Sequence, residues 1–269
     1  MLVAAMRIKN EAWILNFTLS CLSDFCDAIV IVDDGSTDRT IEILKDYPKV
    51  IQVHQNCPIS EADMDEPRDW NRLTKMAKNN GASWILFLDA DEMISKKFVP
   101  EIKNFINQST FDVVRFPKIT AWFDYYIYRS DIQRFNHPAS NVLNPILVRA
   151  NDKLKWGNNR GGIFKMLIKR ILRGEKRFPN YGRVYPYGVK KNALEADKFP
   201  SMHYNFLDYN KILRKQIFYA IRERELRPDK SRVDIIEFAA SPLIKGNEKF
   251  ENIDKSDIWE KFIHLIEIG

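Results

Sequence analysis

Trp84-Ile85-Leu86-Phe87-Leu88-Asp89-Ala90-Asp91-Glu92 is the stretch that decides how this chain is read. Five apolar residues in succession mark a strand covered on both faces, of the kind found at the centre of a parallel sheet. The run ends on two carboxylates one residue apart. Successive side chains of a strand point to opposite faces, so Asp89 and Asp91 share a side, and a loop at the strand end lets both turn toward one point. Two hard oxygen donors at a sheet's carboxyl edge suit Mg²⁺ or Mn²⁺, which takes one or two carboxylates plus phosphate oxygens and water. Alone, the D-x-D triplet reads equally well as a strand ending in a solvated acidic turn. A second acidic site upstream separates the two readings.

That site lies in the alternating pattern that precedes the central strand. Residues 2–8 read as a first strand ending in Lys9-Asn10-Glu11, and Trp13, Ile14, Phe17, Leu19 and Leu22 fit a helix over 12–22 packed on a sheet. Residues 28–32 form a second buried strand, followed by Asp33-Asp34-Gly35-Ser36-Thr37-Asp38-Arg39-Thr40. Gly35 permits a tight turn, and Ser36, Thr37 or Asp38 can cap a helix running to about Leu44. A third strand over 49–54, a polar loop over 55–67 and a helix over 68–79 lead to the central strand. Strand alternating with helix predicts an α/β fold, a mostly parallel, doubly wound sheet. Ligands of such sheets bind beyond the carboxyl ends of the strands, where both acidic motifs sit.

Downstream, the pattern predicts a helix over 97–107, strands over 112–117 and 145–149, and loop over 178–200. Met202-His203-Tyr204 then leads into a helix from Asp208 to Leu226, and two short helices follow in the tail. The pattern sets boundaries at 1–110 and 111–205 for the two halves of one domain and at 206–269 for a helical C-terminal extension.

Composition narrows the class. The chain has 269 residues, 45% of them apolar, enough for one large α/β domain or two small ones. Cys21, Cys26 and Cys57 lack metal-site spacing and read as reduced thiols of a cytoplasmic protein. No signal peptide and no transmembrane stretch is expected. The net charge of +6 suits an anionic ligand. Zinc-finger spacing, aromatic RNA-binding signatures and basic repeats are missing, so nucleic acid is not the expected partner.

The motifs Val32-Asp33-Asp34-Gly35-Ser36-Thr37-Asp38-Arg39-Thr40 and Leu86-Phe87-Leu88-Asp89-Ala90-Asp91-Glu92 resemble those of family 2 glycosyltransferases with the GT-A fold. The opening Arg7-Ile8-Lys9-Asn10-Glu11 is similar to that of the family's bacterial cell-surface and lipopolysaccharide members. The resemblance covers residues 1–95. It implies a metal-dependent, inverting transfer of a sugar from a nucleotide-sugar donor to a saccharide or lipid-linked acceptor. It further implies that Asp33 and Asp34 accept hydrogen bonds from base or ribose, that Asp91 ligates Mn²⁺ or Mg²⁺, and that Asp89 holds ribose or a metal-bound water. His203 resembles a histidine that many members place near the metal; a satisfied structural histidine is the other reading. An inverting transfer also needs a carboxylate to take the acceptor proton. Glu195 and Asp197 are the first candidates, then Asp131 and Asp124. Phosphatases that use D-x-D, receiver domains and sugar-nucleotide pyrophosphorylases fit the motif positions less well. A catalytically inactive sugar-binding or scaffold protein of the same fold is the non-enzyme alternative.

Two further stretches carry expectations. Trp122, Phe123, Tyr125 and Tyr126 can stack on an acceptor sugar; at strand spacing Trp122 and Tyr126 share one face. Residues 161–177 carry Lys165, Lys169, Arg170, Arg173, Lys176 and Arg177 against Glu175. Read as a helix, this stretch has an apolar stripe opposite a basic face, the composition of a peripheral contact at the inner face of a membrane. A core-packed helix with a solvated basic face is the other reading.

Overall fold

The structure, a computed structural model, describes residues 1–57, 65–108, 112–130, 146–158, 184–189, 193–195, 199–207, 209–226, 228–237 and 249–267. The first half follows the expected alternation closely: β1 (Leu2–Ile8), α1 (Ala12–Phe25), β2 (Ala28–Asp33), α2 (Thr40–Leu44), β3 (Val50–Gln55), α3 (Glu66–Asn79) and β4 (Trp84–Asp89). β1 lies between β2 and β4, parallel to both, and β3 extends the parallel set beyond β2. Leu2, Ala4, Met6 and Ile8 pack on the α1 side, while Val3 and Ala5 pack on the α3 side. Covered on both faces, the strand needs apolar residues at nearly every position.

Past β4 the sheet is mixed. The strand predicted over 145–149 is β9 (Ile146–Arg149), and it inserts antiparallel between β4 and β6 (Val113–Arg115). The stretch expected as loop over 178–200 contains two strands. β12 (Ala193–Glu195) adds to the outer edge of β6, and β11 (Val184–Tyr187) pairs with β10 (Lys155–Asn158) in a two-stranded ribbon. Both escape a pattern search: three residues are too few to show a period, and Pro186 lies within β11. Proline is tolerated there because the ribbon strand pairs on one side only.

A second, five-stranded sheet meets the first at the D-x-D motif. Immediately after Asp91 the chain enters β5 (Glu92–Ile94), antiparallel to β13 (Ser201–Phe206). β13 also runs parallel to β7 (Lys118–Trp122). The sequence around His203 is therefore a strand, with Met202 and Tyr204 in the core. Between β7 and β8 (Ile127–Arg129) the chain reverses, with Phe123 at φ 58°, so the extended face expected to pair Trp122 with Tyr126 does not form. Trp122 is instead a buried ring against Phe206 and the Arg129 guanidinium.

After α5 (Tyr209–Leu226), the tail is not simply helical. β14 (Phe250–Asn252) joins β8, and 3₁₀ turns at Lys255–Asp257 and Glu260–Leu265 return to α1. There Trp259 stacks on Phe25 at 5.8 Å and donates from Nε1 to the Ile94 carbonyl at 3.0 Å. The segment 161–177 lies outside the described residues. Its flanking ribbon is fixed to α3: Asn71 bonds both the N–H and the carbonyl of Trp156 at 2.8 Å, and Trp156 Nε1 donates to Thr74. The indole also meets Trp70 and Phe87, each with ring centroids 4.6 Å away. Trp156→Ala should cost about 3–5 kcal/mol, the range for losing a buried large aromatic. Chemical denaturation measures this, and a loss under about 1 kcal/mol would mean that the ribbon is not part of the folded core.

Candidate active site

The acidic motif after β2 divides by strand parity. Asp33 pairs across with Ile8, on the α1 side, whereas Arg7 pairs with both Val32 and Asp89 on the α3 side. Asp33 is fully buried, and its carboxylate accepts from the Ser36 backbone N–H at 3.1 Å and from the Ser36 hydroxyl. Gly35 takes φ 79° in this turn, a left-handed conformation that other residues adopt at a cost. The rest of the motif clasps the loop after β1. Asn10 donates to Ser36 Oγ and accepts from Thr37 N–H, Glu11 N–H donates to Thr40 Oγ1, and Ala12 N–H donates to Asp38 Oδ2. Asp38 also accepts from Thr40 N–H at 3.0 Å, so of the three capping candidates it is the one that serves α2.

Asp34 faces the other way, into a cleft of about 610 Å³ at the carboxyl ends of β1, β2 and β4. Asp89 and Asp91 line the same cleft, with Arg7 and Glu66 beside them. Asp34 is held by Asn56, whose amide also bonds Asp69 at 3.1 Å while Arg72 donates to its carbonyl at 2.7 Å. This network was invisible in the sequence because it joins residues 13 to 22 positions apart.

The D-x-D turn is held from both sides. The Thr18 hydroxyl of α1 donates to the Ala90 carbonyl, and Tyr204 N–H of β13 donates to the Asp91 carbonyl at 2.8 Å. The carboxylate of Asp91, only 2% exposed, lies 3.5 Å from His203 Nε2. His203 Nδ1 stands 3.4 Å from the Thr120 hydroxyl on β7. The two residues that sequence reasoning assigned to a metal are thus brought together, Asp91 from the turn between β4 and β5 and His203 from β13. A carboxylate and an imidazole close enough to share one cation suit Mn²⁺ as a donor set. Among the described residues, no group of three or more His, Cys, Asp and Glu side chains converges to hold a metal unaided. A cation held by this pair would need its remaining ligands from phosphate oxygens and water.

Charge around the turn is crowded. Burial, then Glu92 and Asp91, push the Asp89 carboxyl up to about 7, against the opposing pull of Arg7 and Lys118. Glu92 is buried and ion-paired with Lys118 of β7. Burial draws the Lys118 ammonium down, but Glu92, Asp89 and Asp91 outweigh it and its pKa is raised. Arg7 reaches Glu66 at 3.3 Å with one nitrogen, while its buried Nη1 has no hydrogen-bond partner. Arg7, Glu92 and Lys118 escaped the sequence reading, although Glu92 adjoins the motif.

The candidate bases fare differently. Glu195 stands on β12, separated from β4 by β6 and β9, which at usual strand spacing is about 14 Å across the sheet. The structure does not bring its backbone to the acidic centre. Asp197 and Asp131 lie outside the described residues, and Asp124 accepts from Tyr126 N–H at 2.8 Å within the β7–β8 reversal.

The fold and cleft define an α/β protein with an acidic cleft at the carboxyl edge of its sheet. The family model for Glycosyl transferase family 2 matches residues 5–171, more than half of the chain, and the chain belongs to that family. An uncharacterised protein of Mycobacterium tuberculosis is 27% identical over 128 residues, covering 46% of this chain and 31% of that protein. An uncharacterised glycosyltransferase of Mycoplasma genitalium is 25% identical over 97 residues, covering 35% of this chain and 31% of its own. The chain thus spans about a third of the length of these curated relatives. Among solved structures, S. aureus TarS 1–349 in complex with UDP is similar at a TM-score of 0.47 and 16% identity, over 90% of this chain and 70% of that one.

The parity of the two aspartates gives a test within the protein. Asp33→Ala leaves buried turn donors without acceptors and should cost about 1–3 kcal/mol of stability by chemical denaturation. Asp34→Ala should instead weaken nucleotide binding, with or without metal, as read by calorimetry. Equal stability losses from both variants, with nucleotide binding intact in each, would refute this division.

Proposed function

We propose that the chain is a metal-dependent, inverting glycosyltransferase that moves a sugar from a nucleotide-sugar donor to a saccharide or lipid-linked acceptor in cell-surface polysaccharide synthesis. The observation that carries this reading is the meeting of Asp34, Asp89 and Asp91 in one cleft, with His203 against Asp91. Membership of the glycosyl transferase family supports the class of reaction. An inactive scaffold has no need for a cluster of buried carboxylates that repel one another, which argues against the non-enzyme alternative.

In this reading Asp34 accepts hydrogen bonds from base or ribose, held in place by Asn56. Asp33 supports the same subsite by fixing the turn. Asp89 faces ribose or metal-bound water. Asp91 and His203 would hold Mn²⁺ or Mg²⁺, which supplies Lewis-acid stabilisation of charge on the departing diphosphate. Lys118 keeps Glu92 paired, so that Glu92 does not compete for the cation. Of the two acids proposed from the sequence as base, Asp197 is carried forward, because Glu195 stands strands away from Asp91.

Among the described residues no helix is long and apolar enough to cross a membrane. For a lipid-linked acceptor, residues 161–177 are the proposed contact with an anionic leaflet, where each basic residue contributes about 1 kcal/mol. Charge reversal at Lys165, Lys169 and Arg173 should abolish co-sedimentation with phosphatidylserine vesicles and leave donor hydrolysis intact. A wild type that ignores such vesicles at low salt would point to a soluble acceptor.

The metal assignment is tested at Asp91. Asp91→Asn keeps the shape and removes a charge, so calorimetry with a UDP-sugar and Mn²⁺ should show at least a tenfold loss of affinity, about 1.4 kcal/mol. His203→Ala should lower Mn²⁺ affinity more than thermal stability, and Asp197→Asn should retain donor binding while losing transfer. Unchanged affinity in Asp91→Asn, in a wild type whose binding requires metal, would sink the assignment.

A further inference from the structure

Helix α5 also lines the cleft at the strand ends. Arg214, Phe218, Tyr219 and Arg222 all line it; Arg214, Phe218 and Arg222, at intervals of four, run along one face, with Tyr219 beside them. Helical rise puts Arg214 and Arg222 about 12 Å apart along the axis. The cleft therefore has an acidic floor, carrying Asp89 and Asp91, and a wall carrying two guanidinium groups. Arg214 is exposed on this wall, while Arg222 is half-buried.

Resting on the donor reading above, we propose that Arg214 and Arg222 bind the diphosphate of the nucleotide donor in this cleft, in addition to the metal. The argument is one of charge. A nucleoside diphosphate leaving group carries roughly three negative charges near neutral pH, since a terminal phosphate loses its second proton near pH 6. One divalent cation matches two of them, and that cation is itself partly balanced by Asp91. A metal site on the floor thus leaves net negative charge on the departing group. Guanidinium is the group suited to meet it: it stays charged, and its planar fork matches phosphate oxygens. α5 follows β13 with two residues between Phe206 and Tyr209, so the strand carrying His203 also sets the wall.

Calorimetry with UDP, GDP, CDP and dTDP, each with Mn²⁺, tests the proposal in the full chain. Arg214→Gln should weaken the nucleoside diphosphate that the wild type prefers, and the double Arg214→Gln, Arg222→Gln variant should lose at least tenfold. Mn²⁺ affinity alone, read by electron paramagnetic resonance, should be unchanged, as should the melting temperature of Arg214→Gln. Because Arg214 is exposed, its single variant remains informative if the double variant fails to fold. Diphosphate affinities within twofold of wild type in Arg214→Gln would overturn the proposal while leaving the donor reading in place. So would a loss confined to a sugar phosphate offered as acceptor. A wild type that binds none of the four diphosphates would overturn the donor reading, and this proposal with it.

Discussion

Three carboxylates within four residues, Asp89, Asp91 and Glu92, repel one another at the point where the chain passes from one sheet to the other. Two unit charges 4 Å apart interact by about 4 kcal/mol at an effective dielectric of 20, so such a cluster persists only if its surroundings are arranged to hold it. Lys118 neutralises Glu92 from β7, Arg7 attracts Asp89 from the adjacent β1, and His203 stands against Asp91 from β13. Each of these partners comes from a different strand. The order of strands in the two sheets is thus also the means by which the acidic centre is balanced, and the raised pKa of Asp89 reflects its burial first and the repulsion from Glu92 and Asp91 second.

The other acidic motif is read differently once strand parity is applied. Asp33-Asp34 looks like a matched pair in the sequence. A strand points consecutive residues to opposite faces, so one of two adjacent acids must turn away from a cleft that receives the other. Asp33 becomes the anchor of a turn and Asp34 the acid that faces the cleft. The polar residues that follow tie the β1–α1 and β2–α2 loops to each other. Two loops fixed against one another lose little further freedom when a ligand arrives, and preorganisation of this kind lowers the cost of binding.

The parallel core was readable because local pattern and tertiary structure coincide there. Buried strands from β1 to β4 are apolar nearly throughout, and amphipathic helices separate them. The D-x-D pair and Asp34 were readable because their motifs are contiguous. His203 was found by resemblance, but its strand was mistaken for a helix approach, although Met202 and Tyr204 alternate with His203 and Asn205 at strand period. Arg7, Lys118 and Asn56 could not be found, because their roles exist only through register with distant strands and loops. Glu195 is a few residues from His203 in sequence, yet the strands that carry them, β12 and β13, belong to different sheets.

The C-terminal segment has a consequence for the site that its sequence did not advertise. β5 follows Asp91 directly, and its exit is gripped from the tail: Trp259 donates to the Ile94 carbonyl, and Asp257 accepts from the Ser95 hydroxyl. Lys97 adds an ion pair to Asp254 at 2.6 Å. α1 holds the same turn through Thr18, and β13 holds it through Tyr204. A turn carrying repelling carboxylates relaxes by moving them apart unless its backbone is fixed before and after. Here it is fixed on each side by a different part of the chain, one of them more than 150 residues away in sequence. Without the tail both aspartates would be freer to separate, which makes the tail part of the site although, among the described residues, none of its side chains lines the cleft.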